Sequence, residues 1–225
     1  VPFYNNYWSS NRKSYEKLAN WPIITKQKIN ESPDLFIDSR YRKSKLYHDH
    51  TSGTTGTPMN IYLDYDSVKE QYALFEARVK RKYHIELDET WAIIGGQRVA
   101  DINRIKKPYW VYNYASKQLY LSSLHIAEWS VYDYVKALDK YQPKCLIGYT
   151  SSIYELARGM RDKNLYFKMK AVITNSEPLY KYQEKIIEEA FECPVVETYG
   201  QVELVCFSSR FPDGKMYESP EMGIS

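Results

Sequence analysis

A chain of 225 residues is long enough for one large domain, or two small ones, with a sizeable core. A 44% hydrophobic and 26% charged composition is that of a globular protein rather than a disordered or fibrous one. The net charge of +3 is too small to mark a nucleic-acid or membrane-surface binder, and no apolar run reaches the roughly 18 residues of a transmembrane helix.

Cys145, Cys193 and Cys206 are widely spaced and odd in number, so neither a disulfide framework nor a metal spacing follows, and a reducing cytoplasm fits. No signal peptide opens the chain. It begins without Met and stops at Met222-Gly-Ile-Ser225, which predicts a fragment of a longer protein.

Residues 1–45 are polar and aromatic and are expected to form an N-terminal segment wrapping a core made by residues 46–225; within them Thr25 caps a short helix to Ile29. Residues 45–50 and 59–63 read as two strands of a hairpin. Asp66 or Ser67 then caps a helix whose Val68, Tyr72, Phe75 and Val79 make one apolar stripe. Short β-prone runs follow at 91–94, 110–114 and 118–121, the first ending in Gly95-Gly96-Gln97, and a helix is expected over 127–141. From 143 to 197 the pattern alternates. Strands at 145–149, 170–174 and 194–197 are separated by a helix with capping-box spacing at Ser152 and Glu155, and by one opened by Ser176-Glu177-Pro178 and running to about Phe191. Such alternation implies βαβ units, an α/β fold with mixed, mostly parallel sheets flanked by helices. Residues 211–215 read as a late hairpin turn.

Between the first two strands stands Thr51-Ser52-Gly53-Thr54-Thr55-Gly56-Thr57-Pro58. Two glycines allow positive φ, successive N–H groups make an anion-binding concavity, and the hydroxyls add donors suited to phosphate oxygens. A phosphoryl-transfer P-loop is excluded, because it needs Gly-Lys-Ser/Thr where Thr57-Pro58 stands. In open α/β sheets ligands sit beyond the carboxyl ends of the strands. Two such ends carry Ser176-Glu177-Pro178 and Thr198-Tyr199-Gly200-Gln201-Val202-Glu203. There the Tyr199 ring can stack on a purine, and the Glu203 carboxylate can hold Mg²⁺, which takes one or two carboxylates plus substrate phosphates. His48 and His50 alternate on one strand face without a visible third ligand, so they read as surface or pocket-edge histidines, and no structural zinc is expected.

The hydroxyl-rich run and the Tyr199-Gly200-x-x-Glu203 element resemble those of the adenylate-forming, acyl-CoA synthetase-like superfamily. Residues 21–26, 94–97, 110–117 and 146–152 extend the likeness to its phenylacetate–CoA ligase and CapK-like branch. The resemblance implies part of a large N-terminal domain, the small C-terminal domain lying elsewhere. It implies that Thr51, Ser52, Gly53, Thr54, Thr55, Gly56 and Thr57 grip the triphosphate of ATP, with Thr54 and Glu203 counted as catalytic. Ser176, Glu177 and Pro178 would line the adenine pocket, Thr198, Tyr199, Gly200 and Gln201 would complete it, and Glu203 would carry Mg²⁺. Gly95, Gly96, Gln97 and Tyr149 would face the acyl group.

The implied reaction joins a carboxylic acid to AMP, releases pyrophosphate and passes the acyl group to a thiol such as coenzyme A, in a surface-polysaccharide setting. In that superfamily a lysine of the small C-terminal domain completes the first step, and this chain has no counterpart to it; made alone, it is expected to be inactive. Val202 stands where the family has Thr or Ser and cannot donate to the α-phosphate. The competing expectation is therefore a nucleotide-binding or scaffold protein that has lost catalysis.

Overall fold

The computed structural model describes residues 1–11, 14–51 and 58–223. The chain divides into two compact units, one of residues 1–72 with 202–204 and the other of residues 73–201 with 205–223 and the chain end.

In the first unit, α1 (Pro2–Ser10) has Pro2 in its first turn, where a missing N–H costs nothing. Thr25 caps α2 (Lys26–Glu31) as expected, its hydroxyl accepting from Lys28 N at 3.3 Å. Strands β1 (Tyr47–His50) and β2 (Asn60–Leu63) pair antiparallel, His50 opposite Asn60. The expected hairpin is present, with Met59 and Ile61 buried.

The helix α3 (Tyr65–Arg78) carries the chain from the first unit into the second. Its cap is Asp64 rather than the expected Asp66 or Ser67. The Asp64 carboxylate accepts from Ser67 N at 2.9 Å, and a carboxylate is favoured at a helix N-terminus. Of the expected apolar stripe Val79 is fully buried, whereas Tyr72 is 69% exposed.

The second unit is built on an eight-stranded sheet. Its strands are β3 (Trp91–Gly95), β4 (Trp110–Asn113), β5 (Gln118–Ser122), β6 (Cys145–Tyr149), β7 (Ala171–Asn175), β8 (Val195–Gly200), β9 (Phe207–Arg210) and β10 (Met216–Glu218). They lie in the order β10-β9-β8-β7-β6-β3-β5-β4. The five central strands, β8 to β5, run parallel, and β4, β9 and β10 add antiparallel edges. The expected α/β class and mixed, mostly parallel sheet are therefore present.

Three helices, α4 (Val131–Tyr141), α5 (Thr150–Asp162) and α6 (Lys181–Phe191), pack on one face around Leu119, Leu121, Leu146, Val172, Leu156 and Phe191. Alternate strand residues point the other way, so Cys145, Ile147, Ala171, Ile173 and Val196 form a second core with Val79, Ile85 and Phe207. Burial on both faces explains why these strands read as continuous apolar runs. At Gly148 the β3 and β6 backbones approach so closely that a methyl there would land on the Ile94 carbonyl, 2.7 Å from its carbon.

Three local expectations are corrected. Ser152 does not start α5, which begins at Thr150 and is capped from outside by Glu177. Ser176-Glu177-Pro178 does not open α6; Ser176 is left-handed (φ 64°), which breaks helix geometry, and α6 starts at Lys181 with Gln183 reaching back to Tyr180 N at 3.1 Å. The strand expected to stop at Glu197 continues to Gly200, so Thr198, Tyr199 and Gly200 belong to β8 rather than to a loop beyond it. The turn at 211–215 links β9 and β10 as expected.

Candidate functional site

Parallel strands aim all their carboxyl ends one way, so β3, β6, β7 and β8 deliver Gly95, Tyr149, Asn175 and Gly200 to a single edge. Every predicted site residue of the second unit lies at or just beyond that edge. Beside β3, the Tyr149 ring covers the Gly95-Gly96 backbone: a methyl at Gly96 would lie 2.5 Å from the Tyr149 hydroxyl, and one at Gly95 3.7 Å from the ring and 3.5 Å from Gln97 Oε1. Gly95, Gly96, Gln97 and Tyr149 thus form one cluster, in which the tyrosine takes the space that a side chain at position 96 would occupy.

Beyond β7, the Glu177 carboxylate accepts from Ser151 N at 2.7 Å and from the Ser151 hydroxyl at 3.0 Å, and the Thr150 hydroxyl donates to Glu177 O at 3.1 Å. Its negative charge satisfies the Ser151 amide in the first turn of α5. Ser176 and Pro178 are exposed, and the Ser176 hydroxyl donates to Asn175 Oδ1 at 3.3 Å.

At the end of β8 the Thr198 hydroxyl is buried and donates to Thr174 O at 2.8 Å, tying β8 to β7. Tyr199 is 54% exposed, an aromatic face open for stacking, and its hydroxyl accepts a long contact from Gln201 Nε2 at 3.5 Å. Gly200 lies against Phe207, 3.2 Å from the position of an added methyl.

In the first unit Thr51 closes the base of the hairpin: its N–H donates to Met59 O and its hydroxyl accepts from Met59 N, both at 3.0 Å. Ser52, Gly53, Thr54, Thr55, Gly56 and Thr57 lie outside the described residues. Glu203 is half-buried in the turn after β8 and groups with the first unit, as does Thr51. One carboxylate of this kind fits what Mg²⁺ takes from protein when phosphates supply the remaining ligands.

Among the described residues no three His, Cys, Asp or Glu side chains gather as a metal-binding group. His48 Nε2 lies 2.9 Å from Asn60 Oδ1, with its ring stacked on Tyr62, and His50 is exposed. Burial pushes the Cys145 and Cys193 thiols up to about 12, which keeps them protonated and inert.

Sequence reasoning missed four participants. Ser151 receives Glu177, while Glu197 accepts from Leu179 N at 3.4 Å and from Arg210 Nη2 at 2.7 Å. One signal was present: a carboxylate inside the apolar run of β8 requires a cation, and Arg210 is the one it finds.

The sheet order, the shared edge and the exposed tyrosine define an α/β architecture of the kind seen in acyl-CoA ligases. The fold matches a structure of 2-hydroxyisobutyryl-CoA ligase in complex with 2-HIB-AMP and CoA in the thioesterification state, with a TM-score of 0.63 and 18% identity, over 95% of this chain and 48% of that one. An open conformation of the same ligase with 2-HIB-AMP and CoA gives 0.58 and 19%, over 93% and 52%. The chain is also 30% identical over 229 aligned positions to protein CapK of Staphylococcus aureus, across 99% of its own length and 50% of that protein's. The expected likeness to CapK is met by this 30% identity over half of that protein, and the expected fold by the match to acyl-CoA ligases. The chain spans about half the length of these relatives. No protein-family model matches it. No helix among the described residues is long and apolar enough to cross a membrane.

Proposed function

We propose that the protein carrying this chain activates a carboxylic acid with ATP, forming an acyl-adenylate and pyrophosphate, and passes the acyl group to a thiol such as coenzyme A. The observation that carries this reading is the convergence of Gly95–Gly96–Gln97, Tyr149, Ser176–Glu177–Pro178 and Tyr199–Gly200–Gln201 on one sheet edge, within a fold shared with CoA ligases.

In this mechanism a carboxylate oxygen of the acid attacks the α-phosphorus, and the bond to the pyrophosphate oxygen breaks. The protein supplies position and charge rather than a nucleophile. The Tyr199 face holds the base, the turn at Ser176, Glu177 and Pro178 walls the adenine site with Thr198, Gly200 and Gln201 behind it, and Gly95, Gly96, Gln97 and Tyr149 receive the acyl part. Residues 51–57, Thr54 foremost, hold the departing phosphates. Mg²⁺ bound at Glu203 would neutralise charge on those phosphates. Residues 1–45 act as a wrapping segment and 46–225 as the binding core, while the turnover belongs to a longer protein whose small domain completes the reaction in the cytoplasm. The ligase is of the phenylacetate–CoA ligase type and serves a surface-polysaccharide pathway.

The test is ATP–pyrophosphate exchange by the full-length protein across a panel of carboxylic acids. Exchange dependent on one class of acid is expected; a folded protein that supports none overturns the reading. A second reading, a nucleotide binder that has lost catalysis, rests on Val202. Large recovery of turnover in Val202→Thr favours loss of catalysis, and an unchanged, measurable rate favours the intact enzyme.

A further inference from the structure

Ser176 adopts φ 64°, a left-handed conformation unfavourable for a residue with a side chain and kept where the surroundings support it. Two carboxylates support it here. Glu177, at the near end of the turn, is bound to Ser151 on α5. At the far end Leu179 N donates to Glu197 Oε1 at 3.4 Å. Glu197 is in turn held by Arg210 on β9, whose second nitrogen pairs closely with Glu184 of α6. The Arg210 side chain is only 17% exposed, and its carbonyl accepts from the Tyr83 hydroxyl at 2.9 Å, so both ends of the residue are fixed. A guanidinium stays charged at every working pH and can serve two carboxylates at once, which a lysine ammonium does with less geometric control.

We infer that Arg210 is a positioning residue for the nucleotide-facing turn of residues 176–179, acting through Glu197. The inference rests on the reading of that turn as part of the ATP site. With Arg210 in place, Glu197 stays against Leu179 and the turn keeps its left-handed entry. Without it, a half-buried carboxylate keeps only the long bond from Leu179 and no cation, swings toward water and releases that amide. The Glu177 carboxylate is likewise committed to α5, so this turn meets a nucleotide with its backbone and with Ser176 and Pro178 rather than with a free acid.

The experiment combines hydrogen exchange with ATP–pyrophosphate exchange kinetics on the full-length protein, comparing the parent with Arg210→Met, Arg210→Lys and the double variant Arg210→Met/Glu197→Gln. In Arg210→Met, exchange across residues 176–180 is expected to rise about tenfold or more while the peptide over β6 keeps its protection. The KM for ATP is expected to rise about tenfold, with kcat within about threefold. The double variant is expected to recover most of both, since the neutral amide oxygen that Glu197→Gln introduces still accepts from Leu179 without needing a cation. Arg210→Lys, which keeps the charge and the fold, is expected to fall between. Unchanged exchange at 176–180 in Arg210→Met and Arg210→Lys overturns the proposal, as does a double variant no better than the single. Loosening of the turn with an unaltered ATP KM leaves the positioning role standing and overturns the assignment of the turn to ATP.

Discussion

Gly148→Ala is the sharpest test of the sheet that assembles the site. The added methyl would strike the Ile94 carbonyl, with the Ile94 carbon 2.7 Å and its Cγ2 2.9 Å away. These atoms belong to β3, which is hydrogen-bonded to β5 on its other side and fully buried at Ala92 and Ile94, so no side-chain rotation relieves the clash. Strands β3 and β6 must part, at a cost of about 4 kcal/mol, the range reserved for disrupted backbone or core. For a chain of this size that lowers Tm by about 8–16 °C. Gly159→Ala is the internal control. Its methyl meets Val131 Cγ2 at 2.6 Å, a side chain that can shift, and alanine recovers about 1 kcal/mol of helix propensity. Its net cost stays below about 2 kcal/mol. Thermal and urea unfolding followed by circular dichroism reads both. If Gly148→Ala melts within a few degrees of the parent, or no lower than Gly159→Ala, the close β3–β6 approach is wrong.

Tyr199→Ala removes an exposed stacking face worth about 1–3 kcal/mol per base, so the KM for ATP is expected to rise about tenfold or more with little change in melting temperature; an unchanged KM in exchange kinetics refutes the stacking role. Gly96→Ala pushes the Tyr149 ring aside and is expected to raise the KM for the acid more than that for ATP, measured by pyrophosphate exchange at varied acid concentration. Glu177→Ala removes the carboxylate from Ser151 and is expected to cost about 1–2 kcal/mol in urea unfolding, the worth of a helix cap; a neutral result would show that α5 does not depend on it.

Stability should also fall at alkaline pH. The Cys145 and Cys193 thiols ionise near 9.0 when unfolded and near about 12 when folded, so between these values the unfolded chain binds fewer protons and unfolding becomes easier as pH rises. Each thiol contributes about 1.4 kcal/mol per pH unit in that window, and replacing both by alanine should flatten the urea midpoint against pH.

Strand and helix order was legible because it rests on local periodicity. Residues 145–149, 170–174 and 194–197 are short apolar runs separated by helix-length segments, the alternation that a parallel sheet with both faces covered produces. The shared edge was legible for the same reason: where strand ends carry Gly95-Gly96, Ser176-Glu177-Pro178 and Tyr199-Gly200, a parallel sheet brings them to one side. The start of α2 at Thr25 was legible, but those of α5 and α6 were not. Ser152 and Glu155 have the right spacing for a capping box, yet α5 takes its cap from Glu177, 26 residues away, and a contact of that separation leaves no mark in a local window. Nor did any local pattern show that Arg210 would meet Glu197 and Glu184 across three elements. Charge pairs of that sort depend on which strands become neighbours, and that is decided only when hydrophobic burial stacks β7, β8 and β9 beneath α6.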